Sequence, residues 1–286
     1  MRRPQEIGKE RQAMTSIVQL TGAFEGIASA HIARIKTQVE RSQQFFDELW
    51  PVYTRLRVGK EFRHGRTEAT APIDKELLII ITAEGSLSGD IDMRLVERLV
   101  KVYTPRTHDI VVIGHHGATL LQQREIKPKE VFRLPAQDEE LATAAILAYV
   151  QQYKMTMVYY QAYLSLMKQE IKNISLSAVV QERGETTERT DENAYISDLN
   201  YIFEPTVREV VGYMERSMLG VALNEVVLES KLAQQASRFR AMSAARTRAK
   251  EAEQDLVQQF NHAGRALKDE RTREIVNTLR TKGVMA

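Results

Sequence analysis

Seven prolines stand in this chain, at positions 4, 51, 72, 105, 128, 135 and 205. They leave two long stretches, from Pro4 to Pro51 and everything after Pro205, in which no ring interrupts backbone hydrogen bonding. The remaining prolines crowd into the middle. The chain is therefore expected to run as a helix, a broken central region and a longer helix. An unbroken helix from Thr206 to Lys282 would be roughly 115 Å long, whereas a compact domain of this size is about 40 Å across. Such a helix has to project.

Both stretches carry an apolar rhythm. In the first, Met14, Ile17, Thr21, Phe24, Ala28, His31, Ile35, Gln38, Ser42, Phe45 and Leu49 alternate at spacings of three and four. This is an a/d seam diluted by polar members, with His31 read as a tolerated polar core residue. In the second, Leu228, Leu232, Ala236, Phe239, Met242, Ala245, Ala249, Ala252, Leu256, Phe260, Ala263 and Leu267 form a stripe that is apolar throughout. Two seamed helices at opposite ends of one chain most simply pair with each other, and with a domain between them they pair antiparallel. Within the second helix the stretch QASRFRAMSAARTRAK carries Arg238, Arg240, Arg246, Arg248 and Lys250 and no acidic residue. Its alanines allow close helix approach, and alanine is also simply a good helix former.

The middle has another period. Leu77 to Ile81 is a short β-branched run of the kind a buried parallel strand needs. Ile91 to Tyr103 reads as an amphipathic helix, Asp109 to Gly114 as a second strand and Val131 to Leu134 as a third. A helix is expected from Asp138 to Tyr153, then strands at Met155 to Leu166 and Ile174 to Val180. Alternating strands and helices imply a Rossmann-like α/β layer with a mostly parallel sheet. Gln181 to Asn193 is polar and reads as a loop. The domain plan is thus residues 1–60 and 204–286 as coiled-coil helices, 70–180 as the α/β domain and 181–203 as a connection.

Composition limits the chemistry. Forty basic and thirty-eight acidic residues give a net charge of +2, too balanced to imply nucleic acid. No cysteine is present, which removes disulfides and thiolate sites. No run of about 18 apolar residues could span a bilayer, and the basic MRRPQEIGKERQ start lacks the apolar segment of a signal peptide. A soluble cytoplasmic chain is the expectation. His115-His116 has no carboxylate at ligand spacing and reads as a loop pair, not a metal site. Gly85, Gly89, Gly114 and Gly117 read as turns, because no G-x-G-x-x-G occurs. Gly59-Lys60 does not fit a phosphate loop. Asp74, Glu84 and Asp90 are available acids that nothing in the sequence orders into a site. No catalytic residue, metal or cofactor is expected.

Several segments resemble one family. Gln19 to Lys36, QLTGAFEGIASAHIARIK, resembles the amino-terminal helix signature of the gamma subunit of rotary ATP synthases. Ala236-Ser237-Arg238-Phe239 with Ala241-Met242 and Ala245 is similar to that family's Ala-Ser-Arg-Met…Ala-Met…Ala. Phe260-Asn261-His262-Ala263 is similar to its Tyr-Asn-Lys-Ala, Glu274-Ile275-Val276 to its Glu-Ile-Val, and Tyr201 to Pro205 to its aromatic-Glu-Pro stretch. Glu84 to Gly89 departs from the family's Arg-Gly-Leu-Cys-Gly-Gly. So do Ala263-Gly264-Arg265, where the family has Ala-Arg-Gln, and Asp269 to Thr272, where it has Thr-x-Glu-Leu. The regulatory cysteine pair of chloroplast members is absent.

The resemblance implies a central shaft turning inside a hexamer of alpha and beta subunits. Its foot would rest, with an epsilon subunit, on a membrane c-ring driven by protons or sodium. On that reading the shaft does no bond chemistry, binds no nucleic acid and meets the membrane only through its complex, at the cytoplasmic face of a bacterial plasma membrane. Partner contacts are then expected from Arg238, Arg240, Arg246, Arg248 and Lys250, and from Gln19, Arg34, Lys36, Asn261 and Arg265. The competing reading of the residues is a nucleic-acid-binding or scaffold coiled coil carrying an α/β domain. In that case the arginines would face phosphates.

Overall fold

The computed structural model describes residues 3–56, 73–136, 141–178, 180, 204 and 206–281. Its elements, in chain order, begin with α1 (Pro4–Leu56), β1 (Ile73–Ile81), α2 (Ile91–Val100), β2 (His108–Ile113) and α3 (His115–Gln122). There follow β3 (Glu130–Phe132), α4 (Thr143–Val150), β4 (Tyr153–Tyr163), β5 (Gln169–Ser175) and α5 (Val207–Thr281). Two units are distinguished, residues 28–238 and the combination of 1–27 with 239–286. The expected loop at Gln181 to Asn193, Gly59-Lys60 and nearly all of Tyr201 to Pro205 lie outside the described residues.

In residues 28–238 the strands form a five-stranded sheet in the order β3-β2-β1-β4-β5. The joins β3–β2, β2–β1 and β1–β4 are parallel, and β4–β5 is antiparallel. Pleat alternation divides the continuous apolar run of β1 between two cores. Leu77, Ile79 and Ile81 face a cluster built with Phe46, Trp50 and Tyr53 of α1, Ile146 of α4, and Met218 and Leu223 of α5. Leu78 and Ile80 face Leu95, Val96 and Leu99 of α2 and Leu121 of α3. Sheet faces covered by helices on both sides are what a parallel arrangement requires. Burying each such side chain contributes about 1.5–3 kcal/mol.

Several element bounds differ from expectation. Helix α1 carries Pro51 inside and runs to Leu56. Buried Phe46, Trp50, Tyr53 and Leu56 hold that last stretch, and Tyr53 Oη donates to Glu215 Oε1 at 3.1 Å. Helix α2 ends at Val100, short of Tyr103. Helix α4 ends at Val150, and Tyr153 opens β4 instead of closing the helix. The last strand is β5, Gln169–Ser175, and the chain turns helical at Leu176, so Ile174 to Val180 is not a strand. His115-His116 is not a loop pair, and Gly117 is not a turn: all three open α3.

In the unit formed by residues 1–27 and 239–286, α1 and α5 pair antiparallel. Gly8 faces Phe260 and Gly22 faces Arg246, while Thr15 Oγ1 donates to Glu253 Oε1 at 2.5 Å. Successive facing pairs advance seven residues on one helix and retreat seven on the other, the period of a left-handed coiled coil. Within residues 28–238 the same two helices also run antiparallel. There Ile35 packs with Leu228 and Leu232, and Gln43 Nε2 bonds Glu225 Oε1 at 3.3 Å.

The expected α1 seam is half right. Ala28 and Ile35 are buried, and Met14, Thr21, Ser42 and Leu49 are half-buried. In the intervening row His31 and Gln38 are half-buried, but elsewhere the inward position is shifted by one residue. Ile17, Phe24 and Phe45 are exposed, whereas Val18, Glu25, Ile32 and Val39 are half-buried and Phe46 is buried. On α5 the stripe from Leu228 to Ala263 faces inward, but Leu267 is exposed.

Candidate functional site

Three features of the described residues could transmit or receive force: the outer face of the helix pair, the helix pair's own interface, and the attachment of α5 to the sheet. The first belongs to residues 1–27 and 239–286. Ile17, Leu20, Phe24 and Ile27 recur at steps of three and four and so share one flank of α1. All four are exposed, Leu20 by 58%. Phe24 looks like a seam residue by composition, but Glu25 takes the inward position because α5 supplies Arg246, whose Nη1 lies 3.0 Å from Glu25 Oε2.

The expected contact residues fall into different environments. Arg248, Lys250, Gln19, Asn261 and Arg265 are exposed, and Arg240 is half-buried. Arg265 turns back along its own helix, its Nε donating to Asn261 O at 3.4 Å. Arg246 is engaged with Glu25. In residues 28–238, Arg34 and Lys36 are exposed, with Lys36 Nζ 5.9 Å from the Tyr163 ring centroid. Arg238 is half-buried, and its Nη2 donates to Ser86 O at 3.4 Å. Burial lowers its pKa, although a guanidinium stays charged.

The attachment of α5 is a buried polar network that the sequence reading did not find. Ser230, Gln234 and Ser237 sit at steps of four and three, hence on one helix face, and all are buried. Ser230 Oγ donates to Gln161 Oε1 of β4 at 2.5 Å. Gln234 Nε2 donates to Ser230 Oγ at 3.1 Å, and Ser237 Oγ donates to Ser88 O at 2.6 Å. Gln161 Nε2 in turn donates to Asp92 Oδ1 at 2.7 Å. Asp92, fully buried in the first turn of α2, also receives the Ala83 N–H at 3.3 Å.

His116 Nδ1 lies 2.8 Å from Asp92 Oδ2. That hydrogen bond raises the His116 pKa against the opposing effect of burial. His116 is thus held by Asp92, a neighbour of Asp90 that the sequence did not single out. His115 Nδ1 meets Glu84 Oε2 at 3.2 Å. These are directional bonds between rigid elements; they fix the rotation of α5 against the sheet.

The β2–α3 junction beneath this network is tightly built. Gly114 has φ of +103°, and a Cβ there would lie 2.1 Å from Thr82 O. Gly117 N donates to Thr82 Oγ1 at 2.9 Å. Leu87, in the loop that departs from the family pattern, also has positive φ, 76°.

With this geometry in view, comparison with known proteins is decisive. The family model described as ATP synthase matches residues 4–277. This chain belongs to that family. It is similar to the ATP synthase gamma chain of Geotalea daltonii, with 26% identity over 271 residues and 91% of each chain covered. It is also similar to the ATP synthase gamma chain of Mesoplasma florum, at 23% identity over 269 residues, covering 91% of this chain and 92% of the other.

Among solved structures, a chain of the Euglena gracilis mitochondrial ATP synthase, in a structure of its OSCP, F1 and c-ring, has a TM-score of 0.59 at 13% identity. That match covers 97% of this chain and 96% of the other. A chain of the Tetrahymena thermophila mitochondrial ATP synthase central stalk and c-ring has a TM-score of 0.57 at 18% identity, over 79% of this chain and 99% of the other. These last two speak for the fold: an α/β domain flanked by long terminal helices. The family's complex is membrane-associated, and no described helix of this chain is long and apolar enough to cross a bilayer.

Proposed function

We propose that this chain is the central-stalk, gamma-type subunit of a rotary ATP synthase. It couples ion-driven rotation of a membrane ring to ATP synthesis or hydrolysis in a surrounding hexamer. The observation that carries the reading is the family match over residues 4–277, joined to an antiparallel α1–α5 pair held in seven-residue register. The partners are alpha and beta subunits, an epsilon subunit and the c-ring. The complex sits on the cytoplasmic face of a bacterial plasma membrane.

The mechanism follows from what each surface can do. A shaft accelerates nothing by itself; it presents different contacts to different catalytic subunits and so shifts their conformational equilibria. Exposed Ile17, Leu20, Phe24 and Ile27 give the hexamer an apolar surface without directional bonds. Exposed Arg248 and Lys250 add solvated charge, with half-buried Arg240 beside them, and exposed ion pairs are each worth only about 0–1 kcal/mol. Neither contact type locks one angle. Torque needs the opposite property where α5 meets the sheet, and the Asp92–Gln161–Ser230 network supplies it. Catalysis then belongs to the partners.

A tagged copy expressed in its native host tests the assignment. It is expected to co-purify with larger subunits that bind adenine nucleotide through a phosphate loop, in a complex whose ATP hydrolysis drives ion movement into vesicles. Recovery of a folded chain alone, with no nucleotide-binding partner, would overturn it.

A further inference from the structure

Strand β5 ends the sheet order, so among the described residues its outer edge pairs with no strand. Its pairing lies on one side only, where Glu170 faces Ala162, Lys172 faces Tyr160 and Ile174 faces Val158. In an antiparallel pair alternate residues turn their N–H and C=O away from the neighbour, and on an edge strand those groups are open to a further strand. Lys172 and Asn173 of this edge are exposed, and Ile171 is half-buried.

Beside that edge lies a concavity of about 390 Å³, lined by Glu170 and Ile171 of β5 and by Arg94, Glu97, Arg98 and Lys101 of α2. Arg94, Arg98 and Lys101 recur at steps of four and three, hence on one flank of the helix, and all three are exposed. Their side chains make no hydrogen bond or ion pair with any described residue. The two acids of the lining are engaged elsewhere. Glu97 Oε1 lies 3.9 Å from Arg124 Nη2, and Glu170 Oε1 lies 3.1 Å from Lys168 Nζ. The concavity therefore carries three cations whose charge nothing beside them offsets.

We propose that the β5 edge and this flank of α2 together dock an extended acidic segment of a partner protein, added to the sheet as a further strand. Ile171 packs against the cluster of Leu95, Val96 and Leu99, so its face of the sheet is the one α2 covers. An added strand carries every second side chain over that same face, toward the cations. The spacing fits. Arg94 to Lys101 rises about 10 Å along the helix, and side chains on one face of an extended chain recur about every 7 Å. Two or three carboxylates at alternate positions therefore span the three cations. Main-chain bonds to β5 supply affinity and the carboxylates supply selectivity. Each feature alone is ordinary: a cationic helix flank is commonly just solvated, and a bare edge accepts any extended chain. Their adjacency is what selects an acidic strand. The surface stands apart from the shaft assignment, because none of its evidence depends on the hexamer.

Fluorescence anisotropy with the full-length chain and labelled short peptides tests the proposal. One peptide alternates glutamate and valine, a second has glutamine for glutamate, and a third is the first methylated along its backbone nitrogens. The third keeps the charges and loses the strand donors. The glutamate–valine peptide is expected to bind, more weakly as salt rises, and to slow amide exchange in β5. Arg94→Gln, Arg98→Gln and Lys101→Gln should each weaken binding by up to about fivefold, the worth of one exposed ion pair. The triple variant should bind more weakly than any single one, with its melting temperature unchanged because the three side chains are exposed.

Absence of binding by the glutamate–valine peptide at millimolar concentration and low salt would overturn the proposal. So would equal binding of the glutamine peptide, which leaves a bare edge with no use for the cations. Equal binding of the methylated peptide, or displacement of the first peptide by polyphosphate or anionic lipid vesicles at lower concentration, would overturn it too. Those outcomes leave a charged patch without strand pairing.

Discussion

Gly22 lies against Arg246: a Cβ placed on Gly22 would come within 3.2 Å of Arg246 Cζ. One turn further along, a Cβ on Gly26 would meet no described residue beyond its own helix turn within 4 Å. The two glycines therefore separate helix propensity from crowding. Gly26→Ala is expected to stabilise the isolated chain by about 0.5–1 kcal/mol, the difference between the residues in a helix interior. Gly22→Ala should gain clearly less, because Arg246 must shift while keeping its 3.0 Å bond to Glu25. Thermal unfolding of both variants measures the difference. Equal gains would mean the Arg246 side chain does not define this layer.

The Asp92 network makes a pH prediction. His116 has a folded pKa above its unfolded value of about 6.5. Its contribution to stability is therefore full below that value and disappears as pH rises through the raised folded pKa. His116→Gln should flatten this part of the stability profile, and the gap between wild type and variant should be larger at pH 6 than at pH 8. Asp92→Ala leaves the buried Gln161 amide and the Ala83 N–H unsatisfied, at about 1–3 kcal/mol for each orphaned group. Urea unfolding across pH gives both quantities.

How much of this was legible beforehand depended on period. The β1 run is a continuous β-branched stretch and the α5 stripe recurs at steps of three and four, and both were readable in the order of residues. So was the antiparallel pairing of the ends, since it needed only two seams and an intervening domain. The attachment network was not legible. Asp92, Gln161 and Ser230 stand in α2, β4 and α5, each 69 residues from the next, with no motif linking them. A polar residue on an otherwise apolar helix face, as at Ser230, Gln234 and Ser237, was the available signal. The inward choice of Glu25 over Phe24 was hidden for a related reason: apolarity ranks Phe24 first until the position of Arg246 is known.

The β2–α3 junction distinguishes two kinds of steric conflict. At Gly114 the conflict is with backbone, Thr82 O at 2.1 Å, and φ is positive. At Gly117 it is with the Thr82 side chain, whose Cγ2 and Oγ1 would both be at 2.6 Å. Gly114→Ala and Gly117→Ala are each expected to destabilise by about 3 kcal/mol or more. Adding Thr82→Ala should recover part of the loss at Gly117 and little at Gly114, where trimming removes the Thr82 Oγ1 contact at 2.9 Å but leaves the carbonyl at 2.1 Å and the positive φ in place. A chemical-denaturation double-mutant cycle reads this directly.

The outer face of the α1–α5 pair makes the prediction closest to function. Leu20→Ser removes a side chain that is 58% exposed in the isolated chain, so its unfolding should change by no more than about 0.5 kcal/mol. Assembly with the hexamer should nevertheless weaken. Joint neutralisation of Arg240, Arg248 and Lys250 to Gln should act differently. Long solvated side chains attract at a distance and are screened by salt, with a Debye length of about 8 Å at physiological ionic strength. The triple variant is therefore expected to assemble and hydrolyse ATP, while ions moved per ATP fall several-fold and lose their dependence on salt. Arg246→Gln is the contrasting control, because it breaks the bond to Glu25 and should lower the melting temperature of the isolated chain. Ion transport and hydrolysis measured together in reconstituted vesicles decide the matter. Unchanged coupling in the triple variant would remove the cationic residues from the mechanism and leave the apolar stripe to carry the contact with the hexamer.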